Sequence, residues 1–181
     1  MLGVCLLYVG AVLINNGYCS LAGVPKKSSA VMKIFAGVIG LIIQTIALVM
    51  GNVNPIAQGS LTGFATTDTF QFYAAATGLL FAFTYLWQAA MDLWDLDGRP
   101  YGIYCGFVAV NAIFFSYLSY IQFDGDLRFT FIWLAWAILW LTATVEINLG
   151  KPLGKFTPVL AILEGIFTAW IPGVMMLTGL W

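Results

Sequence analysis

Six runs of about twenty mostly apolar residues, joined by more polar connections, constrain this chain more than any other feature. Runs of this length are typical of helices that cross the hydrocarbon core of a membrane. Charged residues make up 8% of the chain, against the roughly 25% usual in soluble domains. The sequence therefore predicts an all-α membrane protein, with one six-helix transmembrane domain over residues 1–181. The predicted spans are 2–21, 29–50, 71–92, 101–122, 129–149 and 156–179.

The basic residues are distributed unevenly between the two sides that these spans define. Arg128 is the only one beside an even-numbered connection. The other six lie in or beside the first, third and fifth connections: Lys26, Lys27, Lys33, Arg99, Lys151 and Lys155. Because basic residues stay on the cytoplasmic side, both termini are predicted to face outward. The long 51–70 connection and the carboxylates of Asp68, Asp124 and Asp126 are then external.

The odd-numbered runs align with one another without gaps, as 6–17, 78–89 and 133–144. The aligned positions are Val9, Phe81 and Trp136; Leu13, Tyr85 and Trp140; and Asn16, Gln88 and Ala143. The even-numbered runs align so that Ile39, Asn111 and Glu164 coincide, and each run follows a proline. This pattern predicts three two-helix hairpins around a pseudo-threefold axis. The odd helices are expected inside, because lipid-facing surface needs neither large aromatic rings nor amides.

The fifth run carries a face of tryptophans. Trp133, Trp136 and Trp140 are spaced three and four residues apart, so they share one side of a helix. Tryptophan in membrane helices usually marks the two ends, at the level of the headgroups. Periodicity alone leaves two interpretations open: the rings fill the core of the bundle, or they line a central path.

Five segments are distinctive: MLGVCLLYVGAVLINNGYCSL, ATGLLFAFTYL, RPY, IWLAWAILWLTA and PLGKFTPVLAILEGIFTAWIP. They resemble the UreI/AmiS family of bacterial urea channels and amide transporters, and the resemblance covers nearly the whole chain. It implies a homohexamer of six-helix protomers around a lipid-filled centre, with one path per protomer. It also implies passive transport of urea or short amides across the bacterial plasma (inner) membrane.

The resemblance further implies which residues line the constrictions of that path: Val9, Leu13, Phe81, Tyr85, Trp133, Trp136, Leu139 and Trp140. A buried glutamate of the last helix in the family matches Glu164. Most of these positions are ones that the internal repeat also selects. The tryptophan face is therefore predicted to line a path.

A narrow slot between flat rings suits urea, which is planar, neutral and small. The indole N–H and the tyrosine O–H are expected to bond the polar edge of the solute. Further partners are expected from Asn16, Gln88 and Thr142. A hydrated ion would have to lose its water there without comparable compensation, so ions are excluded.

Two residues of the even-numbered runs are predicted to support the path as buried polar groups. The oxygens of Glu164 are expected to accept hydrogen bonds from path-side donors, although an acid at mid-span also permits proton coupling. Asn111 is expected to play a parallel role or to make an interhelical contact.

The leading hypothesis is a passive urea channel that supplies a cytoplasmic urease. The alternatives are a channel for acetamide-like amides that supplies an amidase, and a proton-coupled transporter that uses Glu164. The sequence predicts no enzyme, no cofactor and no metal site, and its net charge of −1 gives no reason to expect nucleic acid as a partner. The chain contains no histidine, so activation by acid is not expected.

Overall fold

The computed structural model describes residues 2–53, 67–122 and 127–181. It confirms the predicted all-α fold, because this part of the chain forms six spans that are long and apolar enough to cross a membrane. The first five are the helices α1 (Leu2–Leu21), α2 (Lys26–Val53), α3 (Thr67–Trp94), α4 (Arg99–Gln122) and α5 (Leu127–Asn148). The last span consists of α6 (Phe156–Glu164), a π-helical segment (Gly165–Trp170) and α7 (Ile171–Thr178).

Helices α2, α3 and α4 extend beyond the spans that were predicted for them, whereas α1 matches its predicted span and α5 and the last span end one residue earlier than predicted. α2 begins directly after Pro25, where a proline suits a helix start, and α3 ends only at Trp94. A helix can continue into the polar residues at the membrane surface, whereas the predicted spans were based only on the apolar residues of each run. Most of the predicted 51–70 connection lies outside the described residues. So do Asp124, Asp126 and the side chain of Asp68.

The most extensive helix contacts join neighbouring hairpins. α2 packs on α3, α4 packs on α5, and α1 packs on the last span. Glycines allow the third pair to approach closely: a Cβ added to Gly10 would stand 2.7 Å from the backbone nitrogen of Trp170. A Cβ added to Gly17 would stand 2.4 Å from the carbonyl oxygen of Pro158. The contact of α1 with the last span closes the six spans into a ring.

The connections that carry the basic residues meet at one end of the molecule, the basic end. There Lys27 pairs with Asp95 at 3.5 Å, and the Asn148 amide donates to the carbonyl of Arg99 at 3.0 Å. Large apolar side chains cover the outside of the bundle, as expected of a multi-pass membrane protein. Among those more than half exposed are Phe35, Ile42, Phe107, Phe114 and Phe167.

Candidate functional site

Two cavities lie inside the bundle, one toward each end. The basic-end cavity has a volume of about 380 Å³ and includes Ser20, Asp92 and Pro158 in its wall. The opposite-end cavity has a volume of about 370 Å³ and includes Leu2 and Tyr73. Each is large enough to hold several water molecules.

Three aromatic side chains line both cavities and separate them: Phe81 and Tyr85 of α3 and Trp136 of α5. We call these three residues the aromatic slot. The ring centre of Phe81 lies 4.5 Å from that of Trp136 at an interplanar angle of 77°, and 4.7 Å from that of Trp140. Edge-to-face packing of this kind is favourable and leaves little space between rings. Odd-numbered helices therefore supply the rings that stand between the two cavities.

The structure places all eleven predicted path residues on the cavity walls. Phe81, Tyr85 and Trp136 line both cavities, and Val9 and Trp133 line the opposite-end cavity. The basic-end cavity is lined by the other six: Leu13, Asn16, Gln88, Leu139, Trp140 and Thr142. α2 also contributes to both walls, for example through Lys33 and Gln44. The sequence repeat, which put the odd helices inside, did not predict this part of α2.

The indole N–H groups of Trp136 and Trp140 are bonded to threonines of the protein. Trp136 Nε1 donates to Thr168 Oγ1 at 2.8 Å, and Trp140 Nε1 donates to Thr84 Oγ1 at 3.2 Å. The expectation that these donors bond the permeant is therefore wrong, because each already has a partner inside the protein.

Each of the two threonines is bonded on both sides. The hydroxyl of Thr168 donates to the carbonyl of Glu164 at 2.6 Å, and that of Thr84 donates to the carbonyl of Leu80 at 2.7 Å. Sequence reasoning missed both residues. A threonine that donates to a carbonyl four residues earlier is common in helices, and nothing in the sequence shows what its lone pairs accept.

Two of the predicted amides form a chain beside the basic-end cavity. Asn16 Nδ2 lies 3.5 Å from Gln88 Oε1, and Gln88 Nε2 donates to the hydroxyl of Tyr101 at 2.5 Å. Tyr101 of α4 lines the same cavity and was not predicted. The hydroxyl of Thr142 donates to the carbonyl of Leu139 at 2.6 Å. The amides and this hydroxyl are thus held by the protein at positions a solute in the cavity can reach.

Glu164 is buried, with 4% of its surface exposed. Neither carboxyl oxygen has a hydrogen-bond partner among the described residues. The expectation that they accept bonds from path-side donors does not hold for this part of the chain. The nearby donor, Trp136 Nε1, bonds Thr168 instead, and only the backbone carbonyl of Glu164 takes part in that arrangement.

The structure does not bring Asn111 to the path. It is half-buried on α4 and lines neither cavity. Its amide donates to the carbonyl of Phe107, one turn earlier on the same helix, at 2.8 Å. The predicted role as buried polar support is therefore wrong for Asn111, because an asparagine on a membrane helix can satisfy its amide within its own helix.

A buried ion pair that the sequence did not reveal lies in the wall of the basic-end cavity. Lys33 of α2 bonds Asp92 of α3, and their side chains are only 10% and 12% exposed. Glu146, at the same end of the cavity, accepts the backbone N–H of Leu153 at 3.1 Å. Lys33, Asp92 and Glu146 are therefore paired or bonded to the protein, whereas Lys26, which also lines this cavity, is exposed on the surface of the protein.

Comparison with known proteins gives a consistent set of relatives. The AmiS/UreI family transporter model matches residues 1–180. The chain is 44% identical to the acid-activated urea channel of Helicobacter pylori over the full length of both proteins. It is 36% identical to the proposed transporter protein AmiS2 of Rhodococcus erythropolis, covering 96% of this chain and 78% of that protein. A crystal structure of the urea channel from Helicobacter pylori has a TM-score of 0.87 at 43% identity, covering 100% of this chain and 99% of that one.

Proposed function

Because the chain belongs to the AmiS/UreI family of transporters, we propose that it is a passive channel for urea. One observation carries this proposal: cavities from the two ends of a membrane-spanning bundle meet at the aromatic slot of Phe81, Tyr85 and Trp136. A narrow solute path needs open space on both sides of one constriction, and two cavities with one layer of rings between them are such an arrangement. The 44% identity to a urea channel over the full length of both chains supports urea as the permeant.

The slot favours flat neutral solutes over ions. Ring faces can contact the plane of urea, while the edge of the solute bonds a nearby hydroxyl or amide. An ion entering the slot would lose its water and gain nothing comparable from the rings. Apolar constrictions of this kind exclude ions in channels generally.

A channel for short amides such as acetamide is the second candidate. The 36% identity to a protein proposed as the transporter AmiS2 favours it. Acetamide shares the flat amide group of urea, and the walls of the slot carry no group that would distinguish the two by charge. A neighbouring urease or amidase gene would show which enzyme the channel supplies.

A proton-coupled transporter that uses Glu164 is the third candidate. The buried carboxyl with no partner among the described residues favours it. A coupled carrier usually needs more than one titrating group within the membrane. Glu146, which lines the basic-end cavity and forms no ion pair among the described residues, is bonded to a backbone N–H at the basic end. We therefore prefer passive conduction.

We further propose that the basic end faces the cytoplasm of a bacterial cell, with both termini outside the inner membrane. The clustering of basic residues at one end supports this orientation. The family resemblance supports a homohexamer with lipid at its centre, and a passive urea channel would serve a cytoplasmic urease. Each protomer has its own slot, so conduction is proposed to occur within protomers.

The test is stopped-flow uptake of urea and acetamide into liposomes that contain the purified protein. Replacing Trp136 or Trp140 with Ala should change urea flux by about fivefold, the scale of a lost aromatic contact. Leu41→Ala is the matched control, because Leu41 lines neither cavity and is exposed on the outside of α2. Wild-type flux no higher than in protein-free liposomes would refute the proposal. So would unchanged flux and selectivity in both folded tryptophan variants.

A further inference from the structure

We propose that Thr84 and Thr168 are positioning residues of the channel. Each would hold one indole ring by its N–H, and together they would fix the shape by which the slot recognises flat solutes. This inference rests on the proposed function, and it names residues outside the predicted path. Each threonine bonds an indole of a different helix. Thr84 is on α3 and Thr168 is on the last span, whereas both tryptophans are on α5.

Each hydroxyl both donates to its own helix and accepts from an indole, and at Thr84 the hydroxyl of Tyr104 donates to the same Leu80 carbonyl at 2.8 Å. A threonine hydroxyl has one hydrogen to donate and two lone pairs to accept. In both residues the hydrogen is donated to a carbonyl of the same helix, at 2.6 Å for Thr168 and 2.7 Å for Thr84. The lone pairs are thereby turned toward the indole N–H. The same arrangement occurs twice around one slot, from two different helices.

The local backbone of the last span sets the position of Thr168. This residue lies in the π-helical segment, where the N–H of Ile171 reaches the carbonyl of Ile166, five residues earlier. A π-helical turn is wider than an α-helical one and is found mostly as a single turn, often at functional sites. Here the segment that follows Glu164 places Thr168 Oγ1 within 2.8 Å of Trp136 Nε1.

Ring orientation matters because the rings pack on one another. Phe81 contacts Trp136 at 77° and Trp140 at 57°, and Trp133 contacts Trp136 at 85° with centres 5.0 Å apart. A rotation of one indole would therefore alter the space beside all of its neighbours. Without the threonine bond, an indole N–H would also be free to turn toward a solute.

With both N–H groups occupied, the slot presents mainly ring carbon. Of the three residues of the slot, Tyr85 alone carries a hydroxyl. A hydroxyl both donates and accepts, so it can bond either the oxygen or an N–H of a passing amide. A slot of this kind suits flat, neutral solutes that need one hydrogen bond there. Solutes of similar size that are not flat, such as glycerol, are discriminated against by shape.

The experiment measures the ratio of urea to glycerol permeability in proteoliposomes. Thr84→Val and Thr168→Val keep the side-chain shape but remove the hydroxyl. Each should lower the ratio about fivefold, the scale of one lost hydrogen bond. Thr84→Ser and Thr168→Ser should restore it. Thr178→Val is the matched control, because that hydroxyl donates to the carbonyl of Val174 on the last span, bonds no indole among the described residues and lines neither cavity.

A second measurement reports the bond itself. In protein labelled with ¹⁵N-tryptophan, the indole signal of Trp136, identified by its absence in Trp136→Phe, should move in Thr168→Val and stay in place in Thr178→Val. Unmoved indole signals in folded Val variants would overturn the inference. So would moved signals with an unchanged permeability ratio. If a Val variant fails to fold, the Ala variant at the same position is measured instead.

The two proposals fail in different ways. If the wild-type protein conducts neither urea nor acetamide, the proposed function fails while the indole signals still report the threonine bonds. If the wild type conducts but the threonine variants keep its selectivity, only the positioning role fails.

Discussion

At the scale of single residues, Glu164 is the side chain whose environment is least expected. A carboxyl that is 4% exposed and has no hydrogen-bond partner among the described residues is costly to hold as an ion. It lies directly before the π-helical segment, and its carbonyl, rather than its carboxyl, accepts the bond from Thr168. The charge of the side chain is therefore not what holds the neighbouring ring.

Replacing Glu164 with Gln tests whether the carboxyl takes part in transport by gaining and losing a proton. We expect urea flux to stay within about twofold of wild type, because the change removes no bond to a described residue. The measurement is urea uptake in proteoliposomes with and without a pH gradient. A proton-coupled mechanism predicts the opposite result: wild-type protein concentrates urea against its gradient, and the Gln variant loses transport.

The rings of the site could be predicted from sequence, and their partners could not. Trp136 and Trp140 stand out because helical spacing and an internal repeat both select them. Thr84 and Thr168 do not stand out, because the role of a hydroxyl depends on which helix packs beside it. Asn111 is an error of the opposite kind: the internal repeat selected it as a residue that supports the path, but its amide donates to a carbonyl of its own helix.

At the scale of helices, the pair α2 and α3 is held by a charged contact as well as by packing. Lys33 and Asp92 form an ion pair that is almost completely enclosed. Removing one partner would leave the other charge buried and uncompensated, which costs more than the pair itself contributes.

Asp92→Ala should lower the free energy of unfolding by about 3 kcal/mol, whereas Lys33→Met combined with Asp92→Leu should recover most of the loss. The matched control is Lys27→Ala, which breaks the pair of Lys27 and Asp95, whose side chains are 63% and 82% exposed. That change should cost less than about 1 kcal/mol. The measurement is equilibrium unfolding in detergent micelles. Equal losses in the two single variants would contradict the assigned burial.

The number and approximate positions of the helices follow from apolar runs, because only helices of that length satisfy their backbone inside a membrane. Two features of the helices could not be predicted from the apolar runs. The π-helical segment leaves the apolar composition of the last span unchanged, so it has no sequence signal. The contact of α1 with the last span depends on glycines such as Gly10, whose partner Trp170 is distant in the chain.

At the scale of the whole molecule, the connection between α3 and α4 at the basic end carries titratable groups outside the spans. Asp97 is one of them, and its hydrogen bonds to Arg99 lower its pKa to about 2. The pKa in the folded state is thus below that of an unfolded chain, near 3.9. The stabilisation from this contact is complete above that value and is lost only as the pH falls toward 2. It does not change between pH 7.5 and 5.5.

We therefore expect urea flux to change little between external pH 7.5 and 5.5. The chain has no histidine, and ordinary carboxylates titrate well below this range. A relative that is 44% identical is an acid-activated urea channel, so this measurement shows whether the present chain responds to acid in the same way. Stopped-flow uptake at the two pH values, with protein-free liposomes as the control, provides it. A steep rise at pH 5.5 would contradict the expectation, and its loss in an Asp124→Asn, Asp126→Asn double variant would identify those carboxylates as the sensor.

The two cavities change what a solute experiences in crossing the bilayer. Through lipid alone, urea would leave water for a hydrocarbon layer about 30 Å thick. In the proposed path, cavities from both sides reach Phe81, Tyr85 and Trp136, so the dry interval would be confined to the layer of rings between them. A solute would then lose its water only within this layer, and the rate of crossing would depend on the energy barrier there.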